Sequence, residues 1–141
     1  MPYKKGFLAR APFSVCWHQQ VAAASLLTSY CLFANPAANN EDYEVLGVDV
    51  IFDVNSSSGT VDVRNVPTAT AMTGGTTLLT AVVNIATGAR AGIKASLTTN
   101  RVTRQIVRGS SISMVLGGTL TSLVGLSVTV WLQAMRGIRS R

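Results

Sequence analysis

The chain has 141 residues, 48% of them hydrophobic, and a net charge of +6 at pH 7. That length predicts one domain with at most an appended arm, able to bury roughly two-thirds of its unfolded surface. Only 13% of the residues are charged, against about 25% in an average soluble protein, so much of the surface is expected to be covered by a partner or by copies of the chain. No stretch approaches the roughly 18–20 uninterrupted apolar residues of a helical membrane span.

In chain order, Met1–Arg10 is basic, with Lys4, Lys5 and Arg10, and Ala11–Gln20 carries Pro12, Phe13, Cys16 and Trp17. Residues 1–20 are expected to form an extended arm that folds against another chain. Val21–Phe33 mixes helix formers (Ala22, Ala23, Ala24) with strand formers (Val21, Thr28, Tyr30), and the surrounding alternation favours a strand. Its apolar run starts late and contains Ser25, Thr28 and Ser29, which argues against a secretion signal. Ala34–Asp42 is a loop, marked by Asn35–Pro36 and Asn39–Asn40.

From Leu46 onward the writing is period two. Leu46, Val48, Val50, Phe52 and Val54 alternate with Gly47, Asp49, Ile51 and Asp53, and Val61 and Val63 with Asp62 and Arg64. Successive strand side chains point to opposite faces, so each run buries one face. Tyr43–Val54 and Thr60–Val66, joined by Asn55–Gly59, read as a hairpin. Pro67–Thr77 is a loop, and Leu78–Ile85 is a strand or one to two helical turns. Strands follow at Ile93–Thr99, Arg104–Val107, Ser111–Leu116 and Leu126–Ala134, and a basic tail closes the chain. The fold class expected is all-β: an antiparallel, jelly-roll-like β-sandwich over residues 21–135, with an extended arm at 1–20 and a basic tail at 136–141.

The charges are segregated. All six acids (Glu41, Asp42, Glu44, Asp49, Asp53, Asp62) lie between 41 and 62, and all twelve bases lie outside that window. Two readings stand: solvated loops, or an acidic patch facing a basic patch on a neighbouring subunit, which would orient docking. Nucleic acid is not expected as a partner, because the bases are dispersed and no aromatics interleave them.

The catalytic kit is sparse. His18 is the only histidine, and a nucleophilic triad needs a base beside its Ser or Cys. One histidine without a CxxC pair does not make a metal site. Cys16 and Cys31 are expected to be buried thiols acting as small hydrophobes. Asp49 and Asp53 share a strand face, where a solvated sheet explains them better than paired-carboxylate chemistry. Gly74–Gly75 and Gly117–Gly118 lack the surroundings of a phosphate loop. Trp131 projects to the Ser127/Thr129 face of its strand, as an edge aromatic, an interface anchor or a sugar platform. No cofactor and no enzymatic activity are expected.

Two stretches carry a family resemblance. Ser57–Leu79, SSGTVDVRNVPTATAMTGGTTLL, resembles a pattern of phage structural proteins in which a GT-x-x-V strand precedes a Gly- and Thr-rich loop ending in LL. Gly117–Gln133, GGTLTSLVGLSVTVWLQ, is similar to the closing strand pattern of the same proteins, and Leu26–Val54 resembles their opening strands. The family is that of tailed-bacteriophage capsid decoration (cement) or head-fibre-type structural proteins, and the resemblance spans about residues 21–134; the arm does not map.

The resemblance implies a homotrimer on the virion exterior, made in the host cytoplasm, that bridges major capsid protein subunits. A fibre-associated receptor or glycan-binding module is the alternative. With the charge layout, it suggests capsid contact through Lys4, Lys5, Arg10, Trp17, Arg136, Arg139 and Arg141. Subunit contact is expected through Glu41, Asp42, Glu44, Arg101, Arg104, Arg108 and Trp131.

Overall fold

Ten strands build two facing antiparallel sheets in a computed structural model that describes residues 11–135. The strands are β1 (Phe13–His18), β2 (Ser29–Ala34), β3 (Tyr43–Ile51), β4 (Thr60–Val66), β5 (Thr76–Thr77), β6 (Val83–Asn84), β7 (Ile93–Ala95), β8 (Gln105–Ile106), β9 (Ser111–Gly117) and β10 (Ser127–Ala134). The first sheet runs β1-β10-β3-β7, with β8 also on β3; the second runs β2-β9-β4-β5, with β6 also on β4. A single 3₁₀ turn, Ala23–Ser25, links β1 to β2.

The pairings are nested. β1 pairs β10, β2 pairs β9, β3 pairs β7 and β8, and β4 pairs β5 and β6. The chain is therefore folded in half as one long antiparallel ribbon. The ribbon is rolled so that β10 also meets β3 and β9 also meets β4.

This arrangement corrects the hairpin reading. β3 and β4 lie in different sheets, and residues 55–59 cross between them. The longer ladders win: β3 is paired with β10 from Ile51 to Tyr43, and β4 with β9 from Thr60 to Val66. The crossing is fixed by Ser56, whose N–H and Oγ–H both donate to Ile85 O, and whose Oγ accepts Gly59 N–H. Gly118 lies beside it at φ +70°, where a Cβ would strike Ser58 O.

The core sits between the sheets. Val45, Val48, Val50 and Phe52 of the β3 segment and Val128, Val130 and Leu132 of β10 face Val61 and Val63 of β4 and Ile112, Met114 and Leu116 of β9. Burying each such side chain stabilises the fold by about 1.5–3 kcal/mol. One edge of the sandwich is closed by aromatics. Phe13 and Phe33 each meet Tyr43 edge-on and tilt against each other, and Trp17 lies on Tyr30 with ring centroids 4.8 Å apart. The opposite edge is closed by backbone: Thr80 N–H donates to Ser96 O and Thr98 N–H to Leu78 O, around a Leu79–Leu97 bridge.

Two further expectations change. Phe13–His18, placed in the arm by its sequence, is an edge strand of the first sheet, because Val15 and Trp17 alternate inward against the core. Leu46 does not share the buried face of Val48. The register steps from Trp131↔Gly47 to Leu132↔Val45, so Leu46 is the extra residue of a β-bulge and is 41% exposed. A bulge shifts the alternation by one residue, which turns Leu46 out and Val45 in.

Asn35 ties the far end together. Its side-chain amide donates to Glu41 O and Ile106 O and accepts from Asn39 Nδ2. Its backbone N–H donates to Ser110 O, and its carbonyl accepts from Gly109 N–H.

A pair of truncations tests the bulged register. Leu132→Ala, at a fully buried site, is expected to cost about 2–5 kcal/mol. Leu46→Ala is expected to stay within about 0.5–1 kcal/mol of wild type, as a surface change does. Urea denaturation reads both. A Leu46→Ala loss as large as that of Leu132→Ala would place Leu46 in the core and refute the bulge.

Candidate functional site

The outer face of the first sheet presents three rows of side chains set by the register. The rows are Ser14–Trp131–Gly47, Cys16–Thr129–Asp49–Lys94 and His18–Ser127–Ile51. Trp131 leans along its face, and its indole Nε1–H donates to Asp49 Oδ2 at 3.2 Å. Gly47 beside it has no side chain, and a Cβ there would meet only Trp131 Cδ1, at 3.8 Å. The result is a depression of about 440 Å³ lined by Pro12, Leu46, Gly47, Asp49, Lys94 and Trp131.

A second hollow of about 260 Å³ shares Leu46, Gly47 and Lys94 and continues to Ser96 and Leu97. It lies where β3 changes its edge partner from β7 to β8. The two form one shallow trough across the sheet, floored by backbone at Gly47. Trp131 and Leu46, each 41% exposed, are its apolar walls.

Below the trough, Cys16, His18 and Ser127 line up. His18 Nδ1 is 2.7 Å from Ser127 Oγ, its Nε2 is 3.5 Å from Cys16 Sγ, and Thr129 Oγ1–H donates to Cys16 Sγ at 3.2 Å. The structure thus brings the one histidine beside a thiol and a hydroxyl, a contact that the arm assignment hid. Acyl transfer also needs donors aimed at a developing oxyanion. The backbone N–H groups of a sheet point along the sheet toward neighbouring strands, not out of the face that carries this row. Among the described residues, no group of three or more His, Cys, Asp or Glu side chains is placed to hold a metal ion.

The cysteines correct an expectation. Both are exposed and free. Cys16 is on the outer face of the first sheet, and Cys31 pairs with Ser113 on the outer face of the second. Period two turns both outward because their neighbours (Val15, Trp17 and Tyr30) take the inner positions.

The second sheet's outer face is roofed by residues 67–77. Arg64 donates from Nε to Asp62 Oδ2 at 2.8 Å and from Nη1 to Thr73 O at 2.6 Å. Thr77 Oγ1–H donates to Asp62 Oδ1, and Ser113 Oγ–H to Met72 O. Asp62 is consequently 6% exposed.

A third hollow, about 730 Å³ and open, lies at one end of the sandwich between Gln19–Ala24 and residues 118–125. The Gln19 amide is spent inside the fold, donating to Val21 O and Leu123 O and accepting from Leu126 N–H.

Several acids find partners within the chain. Arg64–Asp62 and Arg90–Asp53 are ion pairs at 2.8 Å, and Arg104 Nη2 is 3.8 Å from Glu44 Oε2. Asp42 Oδ1 accepts Arg108 N–H at 3.2 Å. Glu44, Arg104, Asp42 and Arg108 are therefore gathered near the β3–β8 pairing, with Arg101 exposed on the preceding turn and Glu41 half-buried. Trp17 is committed to the aromatic edge, whereas Trp131 stands on the open face as its alternation predicts. Lys4, Lys5, Arg10, Arg136, Arg139 and Arg141 lie outside the described residues.

No protein-family model matches the chain, and no curated protein matches it. Among solved structures it is similar to a chain of the cyanophage Pam1 capsid asymmetric unit, with 14% identity and a TM-score of 0.42, over 87% of this chain and 80% of that one. It is also similar to a chain of infectious bursal disease virus, Gx strain, with 13% identity and a TM-score of 0.36; the match covers 92% of this chain and 34% of that one.

The thiols give a direct check of the two outer faces. Both cysteines are expected to react with a disulfide reagent in the native protein, giving two equivalents without denaturant. One equivalent or none would show that the surface at Cys16 or Cys31 is covered.

Proposed function

We propose that this chain is a virion structural protein that binds the outer surface of a phage capsid and bridges neighbouring major capsid protein subunits, as a homotrimer. The observation that carries the reading is the nested strand order. A ribbon folded in half and rolled into two five-stranded sheets follows the strand order expected of a jelly roll, a plan used by viral capsid domains among others. It agrees with the resemblance of Ser57–Leu79 and Gly117–Gln133 to phage structural proteins.

The surface supports an assembly role. Leu27, Val82, Val102, Val107 and Val124 are 44–76% exposed, on a chain with only 13% charged residues. Apolar side chains concentrated in loops, with few charges to keep copies apart, favour association. The basic segment Met1–Arg10 is assigned the role of a strap across a neighbouring subunit, and the tail residues Arg136, Arg139 and Arg141 a supporting contact.

Light scattering on the purified chain is expected to give three times 14.9 kDa. Mixed with capsids of the co-encoded major capsid protein, the chain is expected to co-sediment and to raise their resistance to heat. Deleting Met1–Arg10 should weaken loading while leaving the thermal unfolding of the free protein unchanged. Full loading of the truncated chain would remove the strap from the proposal, and failure of the intact chain to load would remove the capsid.

A further inference from the structure

The trough on the first sheet has polar chemistry that core packing does not require. Asp49 and Lys94 are direct cross-strand partners, both exposed, yet no ion pair joins them within 4 Å. The Asp49 carboxylate instead accepts the Trp131 indole N–H. A carboxylate and an ammonium group thus stand side by side at the rim of a floor made of glycine backbone, next to a tryptophan that is 41% exposed.

We propose that this trough is a carbohydrate-binding site that takes a neutral hexose unit of a polysaccharide. Three features select that chemistry. An exposed indole offers a flat apolar surface of the size of a pyranose C–H face, with a polar edge that is already anchored. The opposite charges of Asp49 and Lys94 cancel, so the rim selects neither an anion nor a cation. A hydroxyl both donates and accepts, so adjacent hydroxyls can donate to Asp49 and accept from Lys94 at once. The missing side chain at Gly47 sets the depth, and the bulge at Leu46 supplies the second apolar wall. The trough's volume of about 440 Å³ is within the range of small-ligand sites, roughly 300–1,000 Å³.

The test is a titration of the ¹⁵N-labelled full chain with maltohexaose, cellohexaose and mannohexaose, followed at the two indole N–H resonances. With at least one of the three, the Trp131 resonance is expected to shift saturably while that of Trp17, packed against Tyr30, stays in place. Trp131→Ala should weaken that binding by at least about tenfold, which is about 1.4 kcal/mol. Gly47→Val keeps the indole and fills the floor, in a space where a Cβ meets nothing closer than 3.8 Å. It is expected to weaken binding comparably while unfolding like wild type, and to load onto capsids as wild type does, which separates this site from the capsid reading. Absence of a saturable shift with all three sugars, or unchanged binding by Gly47→Val, would overturn the proposal. A Trp131 shift that follows protein concentration without sugar would overturn it in favour of contact between copies.

Discussion

The inward alternation of Val128, Val130 and Leu132 on β10 is the constraint on which the first sheet depends. β10 is hydrogen-bonded on both sides, to β1 and to β3, so its side-chain parity is imposed on both neighbours. A slip of one residue would put three fully buried aliphatics into water, a loss of several kcal/mol at about 1.5–3 kcal/mol each. β9 has the same position in the second sheet, between β2 and β4. Both are contributed by the last quarter of the chain. The fold is therefore completed by its most distant contacts, the condition under which β-sandwiches pay loop-closure entropy before they gain contact energy.

That rigidity makes the bulge at Leu46 informative. One extra residue on β3 is absorbed without disturbing Val48, Val50 or Phe52 on one side or Val45 on the other, all at most 1% exposed. The core keeps its parity, and the displacement appears on the outer face. There it brings an aliphatic side chain up beside Gly47 and opposite Trp131. β2 carries a similar irregularity between Cys31 and Phe33. It lies on the half-buried edge under the aromatic cluster, where it adjusts packing.

Much of the strand content was legible in the sequence, because period two needs only a buried face and a wet one. Thr60–Val66 and the Leu126–Ala134 run are found nearly at their written bounds. What failed had physical causes. The β3–β4 hairpin was a local signal overruled by longer ladders to strands far along the chain, Ile51 to Ser127 and Val66 to Ser111. β1 was hidden because its alternating residues Phe13, Val15 and Trp17 stand in a segment containing Pro12, Cys16 and His18, and so short a pattern does not stand out from a loop. The Leu46 bulge had a signal, since a glycine inside a strand often marks a bulge or close backbone approach, and Gly47 stands next to it. The pairing of His18 with Ser127, 109 residues apart, had none. The segregated charges were visible, but their partners were not. Asp53 finds Arg90 and Glu44 approaches Arg104 only because β3 shares its edge with elements far along the chain.

The distribution of polar groups distinguishes the two outer faces. On the second sheet the charges are consumed: Asp62 is closed in by Arg64 and Thr77, and residues 67–77 lie over them. Such a covered network is justified by the satisfaction of its own members. On the first sheet the opposite holds. A glycine in a strand gives up roughly 0.5–1 kcal/mol relative to alanine, a bulge interrupts the ladder, and an exposed tryptophan leaves apolar area in water. These three costs fall on adjacent positions, beside the Asp49 carboxylate and the Lys94 ammonium. Core packing accounts for the bulge, which turns Val45 inward, but not for Gly47 or Trp131, which face away from the core. A surface that collects destabilising choices at one spot, on a face otherwise made of Ser14, Cys16, His18, Ile51, Ser127 and Thr129, fits the proposal that its shape serves contact with something outside the chain.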